Sequence, residues 1–201
     1  LVVPAEAKDV VDTNAPVEEN LKKTARTLGK DVDDLVVFVL DKPRHKNLIQ
    51  EIRQAGARIQ LHTDGDVAGA LMAVDPLSDV DIMVGTGGTP EGVLAACAIK
   101  AVGGQILAQL DPQKEHEKKA LLELGYDLKQ IFTVDTLIKS EDVFFAATGI
   151  SGGSFLKGVR YTGDGAITHS LVIRGKTGTV RRMESFHKWE KLMRISAVKY
   201  D

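Results

Sequence analysis

The chain has 201 residues, 43% of them hydrophobic, enough for one substantial core and a second small lobe. A formal net charge of -2 argues against nucleic acid or an acidic membrane as the main partner, and no apolar run approaches the ~20 residues that cross a bilayer. One cysteine, Cys97, excludes an internal disulfide and fits a reducing compartment. The opening Leu1-Val2-Val3-Pro4-Ala5-Glu6 lacks the basic start and long apolar core of a signal peptide. It begins mid-pattern without Met, so the expectation is a piece of a longer protein.

Residues 1–16 read as a short extended piece and a loop. Pro16 starts a helix over Val17–Leu28, and Gly29 ends it. After a polar turn at Asp31–Asp34, the continuous apolar run Leu35–Leu40 predicts a strand covered on both faces. A helix follows over Pro43–Ala55, closed by Gly56, then a strand over Ala57–Leu61 and a helix over Val67–Ala73. Val80–Val84 reads as the third strand. Thr89 can cap the next helix, Pro90 fits its first position, and the helix runs to Ala101 before Gly103-Gly104. Gln105–Leu110 is a fourth strand, and Asp111-Pro112 starts a charged helix to Leu124. Strands alternating with helices predict a largely parallel sheet in an α/β fold. From Asp142 the pattern changes to antiparallel strands over Val143–Thr148, Ala166–Arg174 and Thr179–His187, with Gly175–Gly178 as a hairpin connection.

Three strand-to-helix turns carry the chemistry. They are Asp41-Lys42-Pro43-Arg44-His45-Lys46, His62-Thr63-Asp64-Gly65-Asp66, and Gly85-Thr86-Gly87-Gly88-Thr89-Pro90-Glu91. In a parallel sheet all three lie at the carboxyl ends of strands, where ligands of open α/β sheets bind. Cations at a helix start are disfavoured by the dipole unless an anion sits there. The bland alternative is a solvated basic turn offset by Asp41. Asp64 and Asp66 flank a glycine and can face a sugar hydroxyl or a metal, or simply cap a helix. Glu91 places a carboxylate where a phosphate would bind, which makes sense if a cation lies between them. His45 and His62 read as plain polar residues rather than ligands.

Two motifs fail. Gly85-x-Gly87-x-x-Pro90 has dinucleotide spacing with proline in place of the third glycine, and Asp111 mimics the ribose-binding acid but also reads as a helix cap. Gly175-Lys176-Thr177 lacks the upstream glycine of a phosphate loop, since position 170 is Ser170.

Lys42-Pro43-Arg44-His45, Thr63-Asp64-Gly65-Asp66-Val67, Gly85–Gly92 and Ala147-Thr148-Gly149-Ile150 with Gly158-Val159 occur in an order and spacing that resemble the class II fructose-1,6-bisphosphatases. In detail they resemble the cyanobacterial type that also hydrolyses sedoheptulose 1,7-bisphosphate. The resemblance covers nearly the whole chain. It implies a layered α/β/α sandwich of the lithium-sensitive sugar-phosphatase type, Mg²⁺ or Mn²⁺ as cofactor, a homo-oligomer (a tetramer in the cyanobacterial type), and a cytoplasmic enzyme of gluconeogenesis and the Calvin cycle. It implies that Lys42, Pro43 and Arg44 contact substrate, that Asp64, Gly65, Asp66 and Gly88 meet the sugar phosphate, and that Glu91 binds metal. The family's other metal carboxylates and its water-activating residue belong to an N-terminal half without counterpart here. The expectation is therefore no catalytic residue in this chain, with residues 1–30 a connection and 31–201 a substrate-binding domain. The rival readings are a sugar-phosphate-binding module without catalysis and a nucleotide-dependent α/β enzyme.

Overall fold

A computed structural model describes residues 1–196; residues 197–201, the tail of the expected 31–201 domain, lie outside the described residues. In chain order the elements are β1 (Val2–Val3), α1 (Val17–Leu28), β2 (Val36–Leu40), α2 (Lys46–Ala55), β3 (Arg58–His62), α3 (Asp66–Met72), β4 (Ile82–Met83), α4 (Thr89–Val102) and β5 (Gln105–Ala108). There follow α5 (Glu115–Glu123), β6 (Phe132–Thr133), α6 (Val134–Leu137), β7 (Phe144–Thr148), β8 (Arg160–Tyr161), β9 (Gly165–Arg174), β10 (Thr179–Lys188) and α7 (Trp189–Ile195). The α/β reading holds, and α1 has the expected bounds, closed by Gly29 at φ 66.

The first sheet has the order β3-β2-β4-β1-β5-β6. Strands β2, β3 and β4 pair in parallel, whereas β1 runs antiparallel between β4 and β5, and β6 antiparallel to β5. Strands β2 to β5 thus point the same way, but the sheet is mixed rather than a simple parallel run. A two-residue strand has no periodicity to betray it. Strand β4 is also shorter than expected, and Asp81 just before it still donates its amide to the Val36 carbonyl at 2.9 Å. Its carboxylate accepts the Val36 amide at 2.9 Å and pairs with Lys30 at 2.6 Å.

Alternation in β2 explains the layers. Val37 and Val39 pack with α1 and α2, while Phe38 and Leu40 pack with α3 and α4 on the other face. Strands β7, β8, β9 and β10 form a separate antiparallel sheet, with β9 central. Leu171, Ile173 and Phe145 of that sheet meet Leu71, Ala98 and Ala101, so α3 and α4 lie between the two sheets.

Close approach of α3 to β2 requires Gly69, whose missing Cβ would fall inside the Phe38 ring. Phe38 is 1% exposed and its other neighbour is the His62 ring, stacked at 4.5 Å, so it cannot retreat. Gly69→Val should therefore destabilise by roughly 3 kcal/mol in urea unfolding, since overpacking costs ~1–3 kcal/mol and the helix-propensity gain is only a few tenths. Wild-type stability in that variant would show that the helix can shift.

Lys100, in the last turn of α4, reaches Asp135 at 2.5 Å and Glu141 at 2.6 Å. Hydrogen bonds to Asp135 and then Glu141 hold its ammonium above its ordinary value of 10.5. The sign follows from linkage: the contribution is complete below the unfolded value and is lost as pH rises through the higher folded one. Lys100→Met should thus lower the melting temperature at pH 7 more than at pH 11, and an equal drop at both would refute this.

Candidate functional site

Because β2, β3, β4 and β5 run in one direction, their carboxyl ends deliver four turns to one sheet edge. A cavity of ≈ 960 Å³ opens there. Arg44 comes from the first turn, Asp66 from the second, Gly88 and Glu91 from the third. The fourth turn, Gln109–Gln113, supplies Asp111. The sequence reading left this fourth turn out of the site; the signal was there, since Asp111 follows a strand of the same direction. The expected helix start at Asp111-Pro112 is corrected, because α5 begins at Glu115 with Lys114 before it. Freed from capping, Asp111 accepts a hydrogen bond from the Thr86 hydroxyl at 2.9 Å.

Thr86 is the knot of the third turn. Its amide donates to His45 Nε2 at 2.8 Å, and its carbonyl accepts from Arg44 Nε at 2.8 Å. His45 is 3% exposed, and its Nδ1 meets the Leu40 carbonyl at 2.8 Å. It is thus a buried strut between β2 and the glycine turn rather than a plain polar residue. Arg44 spends only Nε on the protein backbone, so its two terminal nitrogens remain as donors at the cavity, suited to an oxyanion.

Two carboxylates lean on the same turn. A Cβ on Gly87 would lie 2.8 Å from Asp66 Oδ2, and one on Gly88 would collide with the Glu91 carboxylate, which folds back over it. The glycines therefore make room for the acids as well as for a ligand. Thr89 is corrected as the cap: Gly88 holds that position, no side chain caps α4, and Thr89 with Pro90 is already helical. The first amides of α4 thus meet no capping side chain, while Glu91 sits in the first turn.

The remaining predicted residues adjoin the cavity wall without lining it. Lys42 and Pro43 lead into the 3-10 turn Pro43–His45 that precedes α2. Asp64 is exposed and accepts the Gly65 amide at 2.9 Å. Gly65 caps α3 at φ 97, a conformation that favours glycine. His62, at the end of β3, stacks on Phe38 at 4.5 Å. An exposed trio, Asp31, Asp33 and Asp34, is the one acidic group among the described residues close enough to share an ion. It precedes the amino end of β2, so it belongs to the opposite sheet edge.

Four charged side chains of the turns, Arg44, Asp66, Glu91 and Asp111, offer cationic nitrogen or carboxylate oxygen, which suits a phosphate and a hard cation, while much of the remaining lining is apolar, including Leu1, Val2, Met83, Ile106 and Leu137. No helix among the described residues is long and apolar enough to cross a membrane. A family model described as bacterial fructose-1,6-bisphosphatase, glpX-encoded, matches residues 1–187. The chain is 38% identical to the class 2 fructose-1,6-bisphosphatase of Haemophilus influenzae, over 97% of this chain and 62% of that protein. It is 40% identical to a D-fructose 1,6-bisphosphatase class 2/sedoheptulose 1,7-bisphosphatase of Trichodesmium erythraeum, over 93% and 58% of the two chains. A protein of Acaryochloris marina with the same pair of activities in its name is also 40% identical, over 98% and 61%. The chain therefore spans 58–62% of the length of these relatives. The match of the family model over residues 1–187 places this chain in the bacterial fructose-1,6-bisphosphatase family, glpX-encoded.

Proposed function

We propose that this chain is the substrate-side part of a metal-dependent phosphatase that hydrolyses the 1-phosphate of fructose 1,6-bisphosphate and of sedoheptulose 1,7-bisphosphate. The observation that carries it is the convergence of Arg44, Asp66 and Glu91 on one glycine turn at the mouth of a single cavity. In this reading Lys42, Pro43 and Arg44 hold substrate, Asp64, Gly65, Asp66 and Gly88 meet the sugar phosphate, and Glu91 is a metal ligand. Residues 1–30 lead from the rest of a longer protein into this α/β body, to which they contribute β1 and α1, and 31–201 bind substrate, within a layered sandwich of the sugar-phosphatase type. The full assembly is a cytoplasmic homo-oligomer, a tetramer in the cyanobacterial manner.

The carboxylates fit a divalent ion. Glu91 is exposed and Asp66 half-buried, both facing the turn, and both offer hard oxygen. Mg²⁺ or Mn²⁺, when bound, would neutralise phosphoryl charge and lower the pKa of water. The chain's own residues would bind and orient: Arg44 donates to phosphoryl oxygens, Asp66 accepts from a sugar hydroxyl, and the Gly85–Gly88 backbone lets the substrate approach. Further carboxylates are required to hold two ions, and we assign them to the part of the longer protein outside this chain. The sugar-phosphate-binding module without chemistry describes what this chain does by itself.

Asp64→Ala or Asp66→Ala in the full-length protein should reduce kcat/KM for fructose 1,6-bisphosphate about tenfold or more with little change in melting temperature, because both sit on turns. A large melting shift with unchanged kinetics would reduce them to local caps. The overall reading is tested by phosphate release from fructose 1,6-bisphosphate by the full-length protein with Mg²⁺ or Mn²⁺; no release with either ion would refute it.

A further inference from the structure

We propose that His45 is a positioning residue that fixes the Gly85–Gly88 turn, and through it Arg44, in the arrangement that grips phosphate. The proposal rests on the reading of the cavity as a sugar-phosphate site. The Leu40 carbonyl only accepts and the Thr86 amide only donates, so the two 2.8 Å contacts demand a hydrogen on Nδ1 and a lone pair on Nε2. One neutral tautomer satisfies both ends. Leu40 belongs to the buried strand β2, so the ring ties the glycine-rich turn to a buried element.

The turn needs such a tie. Three of its four residues are glycines, the residue type with the most backbone freedom to lose. Thr86 alone carries a side chain there, and its amide, carbonyl and hydroxyl are all engaged, by His45, Arg44 and Asp111. Losing the His45 contact frees the Gly85–Thr86 peptide, next to the Thr86 carbonyl that holds Arg44. Ligand binding would then have to order the turn itself, which lowers affinity. Gly85 belongs to the same device: a Cβ there would stand 3.1 Å from His45 Cε1 and 3.3 Å from Nε2, so the ring or the turn would have to give by a few tenths of an ångström.

The test uses the full-length protein with His45→Phe and His45→Gln. Phenylalanine keeps a ring but loses both hydrogen bonds; glutamine can still accept from the Thr86 amide. Nitrogen-15 NMR of the histidines should show the Nδ1–H tautomer for His45. Amide exchange at Thr86–Gly88 should speed up by about tenfold or more in His45→Phe, with α1 and α2 unchanged. KM for fructose 1,6-bisphosphate should rise by about tenfold or more in His45→Phe, with a smaller change in kcat, and His45→Gln should recover most of it. An Nε2–H tautomer, or unchanged exchange at the turn, overturns the proposal whatever the kinetics. Faster exchange with unchanged KM also overturns it and leaves His45 with a fold-only role. If wild type turns over no sugar bisphosphate, the proposed function fails instead, while tautomer and exchange still decide whether His45 pins the turn.

Discussion

Glu91→Gln in the full-length enzyme should lower kcat for fructose 1,6-bisphosphate by about a thousandfold, with partial recovery at high Mn²⁺. The substitution keeps shape and hydrogen-bonding reach but removes the charge that a hard divalent ion requires. The geometry sharpens the expectation. The Glu91 carboxylate lies over Gly88 in the first turn of α4, where the dipole is positive and a carboxylate is already comfortable without metal. Removing it should thus cost the fold little, at most ~1 kcal/mol, while the effect on turnover is large. Metal titrations of activity and of melting temperature separate the two. Wild-type turnover at ordinary Mg²⁺ would remove Glu91 from the metal site. A melting loss of several kcal/mol would assign it to the fold.

Arg44→Ala should lower kcat/KM about 30- to 1,000-fold, corresponding to roughly 2–4 kcal/mol of charge-assisted hydrogen bonding. Arg44 is exposed, so little packing is lost with it. Arg44→Lys should recover only part of the loss. Lysine has no Nε branch to hold the Thr86 carbonyl while its terminus meets phosphate, so anchoring and gripping compete. We assign Arg44 and Lys42 to the phosphate that is not hydrolysed, because they sit on a different turn from Glu91. Remote binding energy then assists the reacting end. A substrate phosphorylated only at the hydrolysed end should hardly notice Arg44→Ala. Equal losses on both substrates would place Arg44 on the reacting phosphate, on the side of the turn that its Nε already holds.

Punctuation made most of the first sheet readable. Gly29, Gly56 and Gly103 close α1, α2 and α4 at φ 66, 94 and 92, and each stands just after the apolar pattern stops. The long hairpin of β9 and β10 was readable from alternation and from Gly178 at φ 59. The place of Asp111 at the sheet edge was readable as well, but the hydrogen bonds of Asp111 and His45 were not. Their roles depend on Thr86, which is distant in sequence from both, and local spacing cannot report a contact across strands. For the same reason the antiparallel strands after Asp142 were readable as strands but not as a separate sheet. Periodicity marks which residues of β9 are buried but not that α3 and α4 cover them.

Strand β1 has a consequence for how the chain folds. It separates β4 from β5, yet its partners Met83, Gln105 and Ile106 are synthesised long after Val2 and Val3. The sheet therefore cannot close until the chain has looped across α1 to α4, a long-range contact whose closure entropy slows folding. Until then Val2 and Val3, 3% and 0% exposed in the finished fold, remain solvated hydrophobes with no partner strand. The half-built sheet meanwhile carries two raw edges, on β4 and β5, open to mispairing with other chains. Nascent protein should accordingly be most prone to aggregate after β5 emerges and before β1 has threaded between its neighbours.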